Sequence, residues 1–116
     1  MRAYDLAEDA YVAIRADSAD IAAISKNTGF AESRVARVKD HVFFKQHELD
    51  SGFKRFDADP DMVNSWNRLT KGDLVKSDID LLRHEIFESK FEGIFKTNYR
   101  QAHDAAIRAG RTWLPE

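Results

Sequence analysis

The stretch "KSDIDLLRHEIFESKFEG", residues 76–93, decides the fold class of this chain. Its apolar residues, Leu82 and Ile86 among them, recur at the spacing of a helix and predict one long helical segment with an apolar side. Ser77 is the expected N-cap of this helix, and Gly93 is its expected end, because glycine commonly adopts the left-handed conformation found just after a helix. A long helix joined to its neighbours by short loops indicates a helical bundle.

The segments on both sides of this stretch carry helical patterns as well. "DPDMVNSWNRLTKG", residues 59–72, has Asp59 as its N-cap and Gly72 as its terminating residue. The last helix is expected to begin after Thr97 or Asn98. The predicted helices cover about residues 3–15, 18–29, 30–44, 59–72, 77–93 and 98–110.

The region after the third helix is ambiguous. Its pattern predicts that part of the segment extends this helix through His47 and Leu49, until Ser51 and Gly52 interrupt it. No segment is convincing as a strand. The sequence therefore predicts an all-α fold, in which residues 1–116 form a single helical domain. This domain is expected to be a compact bundle of five or six helices with a helix-turn-helix-like pair near the N-terminus.

Length and composition narrow the function classes. A chain of 116 residues with 43% hydrophobic content corresponds to one domain with one modest core. The net charge of −2 gives no general reason to expect tight binding to nucleic acid or to a membrane. The absence of cysteine excludes thiolate zinc sites, disulfides and cysteine nucleophiles. No apolar run approaches the ~20 residues needed to cross a bilayer, so we expect a soluble protein, cytoplasmic by default.

The clearest chemical signal is a possible metal site in the long helix. His84 and Glu88 lie four residues apart, so both side chains project from one face. Two ligands at this spacing can hold one metal ion, as in the zinc-protease pattern H-E-x-x-H; here the pattern is H-E-x-x-E. His103 is the candidate third ligand, because a short connection makes the last two helices antiparallel neighbours. The expected cofactor is a divalent ion, zinc or manganese, with Glu85 as general base.

The same stretch has a plainer interpretation. Glu85, Glu88 and Glu92 could form the solvated face of an ordinary helix, because glutamate is mostly exposed in folded proteins. His84 would then be a partly buried structural histidine near Phe87. The sequence alone leaves both interpretations open.

The four histidines of the chain form a second signal. His41 and His47 lie in "KDHVFFKQH", whereas His84 and His103 lie in "RHEIFE" and "AHDAA". Histidine changes its charge near neutral pH and is the commonest general base and metal ligand. His41 or His47 is therefore a candidate for acid–base catalysis or phosphate binding, under the hypothesis that at least three of these histidines converge on one pocket.

"ISKNTGFAESRVARV", residues 24–38, resembles a helix-turn-helix, with Gly29 at the turn. Arg34, Arg37 and Lys39 on its second helix could contact phosphates or base edges. Any two short helices that are joined at a glycine turn and packed on a third give the same pattern, so plain scaffold remains the alternative.

Three segments together resemble a known family: "NTGF…VKDHVFFKQHELD", "RFDADPDMVNSWNRL" and "DIDLLRHEIFESKFEG…YRQAHDAA". The family consists of small helical domains at the C-terminal ends of bacterial polymorphic toxins and of phage head-morphogenesis-related proteins. The resemblance covers about residues 19–109. It implies an effector module, for which a hydrolytic activity is expected, delivered to a target cell as part of a larger protein. The positions that it singles out are His41, His47, His84, Glu85, Glu88 and His103.

Two functions are therefore predicted. The first is a toxin-like C-terminal module, a metal-dependent hydrolase that uses a His/Glu cluster on a nucleic acid or a peptide, with an immunity protein as its expected partner. The second is a non-catalytic interaction domain, either a helix-turn-helix DNA-binding domain or a module of a larger assembly.

Overall fold

The long helix expected around residues 76–93 is α5, Lys76–Phe95. A computed structural model of the chain describes residues 3–95 and 97–113, so the ends of the predicted 1–116 domain and residue 96 lie outside the described residues. The all-α prediction is confirmed, with one small hairpin added. The other described elements are α1 (Ala3–Ala16), α2 (Asp20–Thr28), α3 (Glu32–Lys39), β1 (His47–Leu49), β2 (Gly52–Lys54), α4 (Pro60–Lys71) and α6 (Tyr99–Arg108).

One hydrophobic core lies between the helices. Val35 of α3, Trp66 of α4 and Leu82 of α5 are almost completely buried in it. Burial of each such side chain stabilises the fold by roughly 1.5–3 kcal/mol relative to exposure. The radius of gyration is 13.6 Å, close to the roughly 13 Å of a compact domain of this length. Among the described residues, no helix is both long enough and apolar enough to cross a membrane.

The predicted caps of α4 are confirmed, and Asn98 is the one of the two expected starts of α6 that is observed. Asp59 accepts a hydrogen bond from the backbone N–H of Asp61, and Gly72 follows α4 with a φ of 85°. Asn98 accepts from the backbone N–H of Gln101, while the Gln101 side chain accepts from the Asn98 backbone. These reciprocal bonds form a capping box and fix the start of α6, the helix that carries His103.

Asn98→Ala is expected to lower the free energy of unfolding by about 1 kcal/mol, because it removes the acceptor that caps α6. Urea unfolding at equilibrium measures this loss. Asn67→Ala is the matched control, since Asn67 is exposed within α4 and its replacement should change stability by less than about 0.5 kcal/mol. Equal losses in the two variants would show that the capping box does not stabilise the protein.

Both predicted ends of α5 are wrong. Ser77 lies inside the first turn, because the Asp78 carboxylate accepts from the backbone N–H of Val75, 3.0 Å away, and caps the helix earlier. Gly93 lies inside the last turn, since it does not adopt the left-handed conformation and α5 continues to Phe95. Glycine permits a helix end and does not impose one.

The helix-turn-helix-like pair is present, but one of its cations is buried. α2 begins at Asp20, two residues after the predicted start, and Gly29 forms the left-handed turn that follows it. Asp20 accepts hydrogen bonds from Lys39 Nζ at 2.8 Å and from Trp66 Nε1 at 3.1 Å. Lys39 is only 5% exposed. It therefore holds α3 against α2 and does not face phosphates as the sequence had suggested.

The third helix ends before His47, so the predicted extension of this helix through His47 and Leu49 is wrong. α3 continues into a π-helical turn, Asp40–Phe44, and does not extend through His47. The carbonyls in the last turn of a helix have no hydrogen-bond donor within that helix, and here side chains donate to two of them. The His47 ring donates to the carbonyl of His41 at 2.7 Å, and Arg15 donates to that of Phe43 at 3.0 Å. These bonds occupy the carbonyls at the end of the π-helical turn, and the one from His47 folds the following segment back against that turn.

The following residues form the hairpin that the sequence did not predict. β1 and β2 pair antiparallel, with His47 opposite Lys54 and Leu49 opposite Gly52. Strands of three residues are too short for an alternating pattern to reveal them. The hairpin matters for function because His47, at the start of β1, is directed into the protein and is 2% exposed.

Candidate metal centre

The candidate site is built on one face of α5. Glu85 and Glu88 are 6% and 1% exposed, and His84 is 4% exposed, so the interpretation of this face as solvated is wrong for these residues. Glu92 continues the face by one more turn and is partly buried. Buried carboxylates are costly unless they are paired, so the partners of these glutamates decide what the site can do.

All four histidines contact the glutamates of α5. His41, in the π-helical turn, places Nε2 at 3.4 Å from both Glu85 Oε2 and Glu88 Oε1. His103, on α6, places Nδ1 at 2.7 Å from Glu88 Oε2. His84 contacts Glu88, and Glu92 contacts both His47 Nδ1, at 3.1 Å, and His41 Nδ1, at 3.3 Å. We call these residues the His/Glu cluster: His41, His47, His84, Glu85, Glu88, Glu92 and His103.

Two of the rings are held by backbone carbonyls. His84 Nδ1 lies 2.6 Å from the carbonyl oxygen of Arg111, and His47 Nε2 lies 2.7 Å from that of His41. A carbonyl oxygen only accepts, so these two ring nitrogens carry the protons. The other nitrogens, His84 Nε2 and His47 Nδ1, therefore face the carboxylates. Metal-binding histidines are typically oriented in this way, with one nitrogen donating to a fixed acceptor and the other facing the ion.

The cluster shifts the pKa values of its members in opposite directions. Burial opposes the charged forms of Glu88 and His84. For Glu88, hydrogen bonds from His41, His84 and His103 outweigh burial and lower the pKa to about 2. For His84, the hydrogen bond and charge of Glu88 outweigh burial and raise the pKa to about 9. Burial and then the charge of Glu88 raise the pKa of Glu85 to about 8.

Two buried polar atoms of the cluster, His41 Nδ1 and Glu85 Oε2, make no hydrogen bond to a described residue. They lie only within ion-pair distance of a partner, at 3.3 Å from Glu92 Oε2 and at 3.4 Å from His41 Nε2, respectively. Nearly all buried polar atoms in folded proteins are hydrogen-bonded, so these two atoms remain able to bind a further group. Imidazole nitrogens and carboxylate oxygens together suit zinc, and manganese also accepts such ligands. The residues therefore fit a divalent metal ion.

Three sets of side chains bring their ligand atoms within 4.8 Å of one another. One of them is the set expected from the sequence, His84, Glu88 and His103. The others combine His41 with His47 and Glu92, and His41 with Glu85 and Glu88. Sequence reasoning did not assign Glu92 as a ligand, although its position four residues after Glu88 was the available signal.

A cavity of about 400 Å³ gives access to the cluster. His84, Glu85 and His103 form part of its wall, and Tyr99 is one of the aromatic side chains that complete it. Phe56, which also lines this cavity, stacks on the His47 ring at a centroid distance of 4.0 Å and shields it. A small concave site with aromatic walls and a few convergent polar groups is typical of a ligand-binding or catalytic site.

No family model, curated protein or solved structure matches this chain. The assignment of a function to this cavity therefore rests on its own residues and their geometry.

Proposed function

We propose that the protein is a metal-dependent hydrolase that binds a divalent ion, zinc or manganese, through His84, Glu88 and His103. The observation that carries this proposal is the fixed orientation of His84, whose Nδ1 donates to the Arg111 carbonyl while Nε2 faces Glu88. A set of two imidazoles and one carboxylate leaves a coordination position open for water, as catalytic zinc sites do.

Glu85 is the proposed general base. It lines the cavity, and its pKa of about 8 lies near neutrality, where a base both holds and releases a proton readily. The metal ion would polarise the scissile group and lower the pKa of the attacking water. His41 is buried beside Glu85, so its proposed role is to pass a proton to and from that carboxylate. His47, through its bond to the His41 carbonyl, keeps that segment in place.

The substrate class is proposed as a nucleic acid or a peptide, each a target of known metal-dependent hydrolases. The resemblance supports an effector role, with an immunity protein as partner and delivery as part of a larger protein. Expression of the chain should then slow the growth of a bacterial host, and His84→Ala should restore growth. Equal growth with both variants would contradict the effector proposal.

The metal content of protein purified without a histidine tag tests the metal site directly. We expect stoichiometric zinc or manganese in the wild type and its loss in His84→Ala, measured by elemental mass spectrometry. Glu8→Ala, an exposed change on α1, is the control and should retain the metal. A wild-type protein that stays metal-free after incubation with either ion would overturn the proposal.

The DNA-binding alternative is favoured by a different observation. Arg34 and Arg37 are exposed on α3, directly after the left-handed turn at Gly29. If α3 is a recognition helix, duplex DNA should bind with a salt-dependent affinity that falls on Arg37→Ala. Unchanged affinity in that variant would exclude this use of α3.

A further inference from the structure

A second concave region lies between the start of α3, the outer face of α5 and the residues after α6. Its volume is about 740 Å³, which falls within the range of small-molecule sites. We call it the basic hollow, because Arg34, Arg83, Lys90 and Arg111 line it and none of its described lining residues is acidic. Within the described residues, none of these four cations forms an ion pair with a carboxylate.

The basic hollow is separate from the His/Glu cluster. At 3.6 residues per turn, the two sets of α5 side chains point roughly 160° apart around the helix axis. One set is Arg83, Ile86, Phe87 and Lys90, and the other is His84, Glu85, Glu88 and Glu92. The long helix therefore presents cations on one side and carboxylates on the other.

We propose that the basic hollow binds the phosphate groups of a nucleotide unit, either a free nucleotide or part of a single strand. Guanidinium groups match the geometry of phosphate oxygens, and three arginines with one lysine supply four positive charges. Phe30 and Phe87 line the same hollow and are partly exposed. Aromatic rings beside a cationic groove are the arrangement on which bases stack in single-strand binding proteins.

The proposal is tested by the affinity of a short fluorescent single-stranded oligothymidine for the metal-free protein, in the presence of a chelator. Arg83→Ala/Lys90→Ala should raise Kd by about tenfold or more and reduce the salt dependence by about two phosphate contacts. Lys45→Ala/Lys71→Ala is the matched control, because it removes the same charge from exposed positions outside the hollow. That control should leave Kd within about threefold.

A further set of variants separates the hollow from a recognition helix. Arg34 lines the hollow, whereas Arg37 lies on the same helix, outside the hollow, and donates to Ser89 Oγ. Arg34→Ala should weaken binding and Arg37→Ala should not. Thermal unfolding of each variant verifies that the exposed substitutions leave the fold intact.

Competition with ATP in the absence of magnesium distinguishes the two sources of phosphate. Displacement of the oligonucleotide by ATP, with the same sensitivity to Arg83→Ala/Lys90→Ala, would assign the hollow to free nucleotides. Strand binding that ATP does not displace would assign it to single strands. The proposal is overturned if neither probe binds the wild type, or if Lys45→Ala/Lys71→Ala weakens binding as much as Arg83→Ala/Lys90→Ala.

Discussion

Asp78→Ala is expected to lower the free energy of unfolding by about 3 kcal/mol, one of the largest stability losses that a single substitution can cause here. Asp78 is 0% exposed. Its carboxylate accepts from Ser65 Oγ at 2.5 Å, from Arg68 Nε and Nη2 at 2.9 and 2.7 Å, and from the Val75 N–H at 3.0 Å. Alanine would leave the buried Ser65 hydroxyl and the Val75 N–H without this acceptor. Thermal unfolding should show a fall in Tm of about 10 °C.

The same carboxylate should make the stability of the protein sensitive to acid. Burial opposes its ionisation, but hydrogen bonds from Arg68 and Ser65 outweigh burial and hold the pKa of Asp78 below its usual value of 3.8. The folded state therefore binds this proton less readily than the unfolded state. The stabilisation is complete above the unfolded pKa and is lost as the pH falls through the lower folded pKa. The difference in stability between the wild type and Asp78→Asn should accordingly be constant near neutrality and shrink below about pH 4.

Asp80→Asn is the control for both measurements. Asp80 lies two residues away on the same helix and pairs with Lys76, whose side chain is 90% exposed. Surface pairs of this kind contribute less than about 1 kcal/mol, so Asp80→Asn should leave Tm nearly unchanged. If Asp80→Asn destabilises the protein as much as Asp78→Ala, the buried network around Asp78 does not have the importance assigned to it.

Asp78 also illustrates what the sequence could predict about the fold. The positions of the helices follow from local signals, because Asp59, Asn98 and the glycines at 29 and 72 act within one turn of their own helix. The early start of α5 depends partly on Asp78, whose other hydrogen-bond partners lie on α4. A contact between two helices of this kind has no signature in the spacing of residues along one of them.

The candidate site was predictable to a similar extent. The helical spacing of His84 and Glu88 and the short connection to His103 were sufficient to propose one ligand set. The sequence could not show that α5 is buried on two sides, with Leu82 facing the core and Glu88 facing the histidines. Nor could it place His41 and His47 with Glu92, since that group depends on the π-helical turn and on the hairpin that follows.

Glu88→Gln is expected to weaken zinc binding by at least about 100-fold, because Glu88 contacts His41, His84 and His103 and belongs to the proposed ligand set. The metal-free protein should also lose about 3 kcal/mol of stability near pH 7. The reason is that the substitution replaces the buried Glu88 carboxylate, whose pKa is about 2, with an amide that cannot stabilise the His84 imidazolium. Zinc titration by calorimetry and urea unfolding in chelator measure the two effects.

Glu85→Gln is the matched control, because Glu85 also belongs to the His/Glu cluster and lies one turn before Glu88 on α5. Its effect on stability should have the opposite sign. The raised pKa of Glu85, about 8, means that the folded state binds more protons than the unfolded state between about pH 4.5 and pH 8. The contribution of Glu85 to the stability of the metal-free wild type therefore falls as the pH rises through this window. Glu85→Gln removes that loss, so it should be more stable than the wild type at pH 8 while it retains most of its zinc affinity. Equal zinc affinities for Glu88→Gln and the wild type would show that Glu88 is not a ligand.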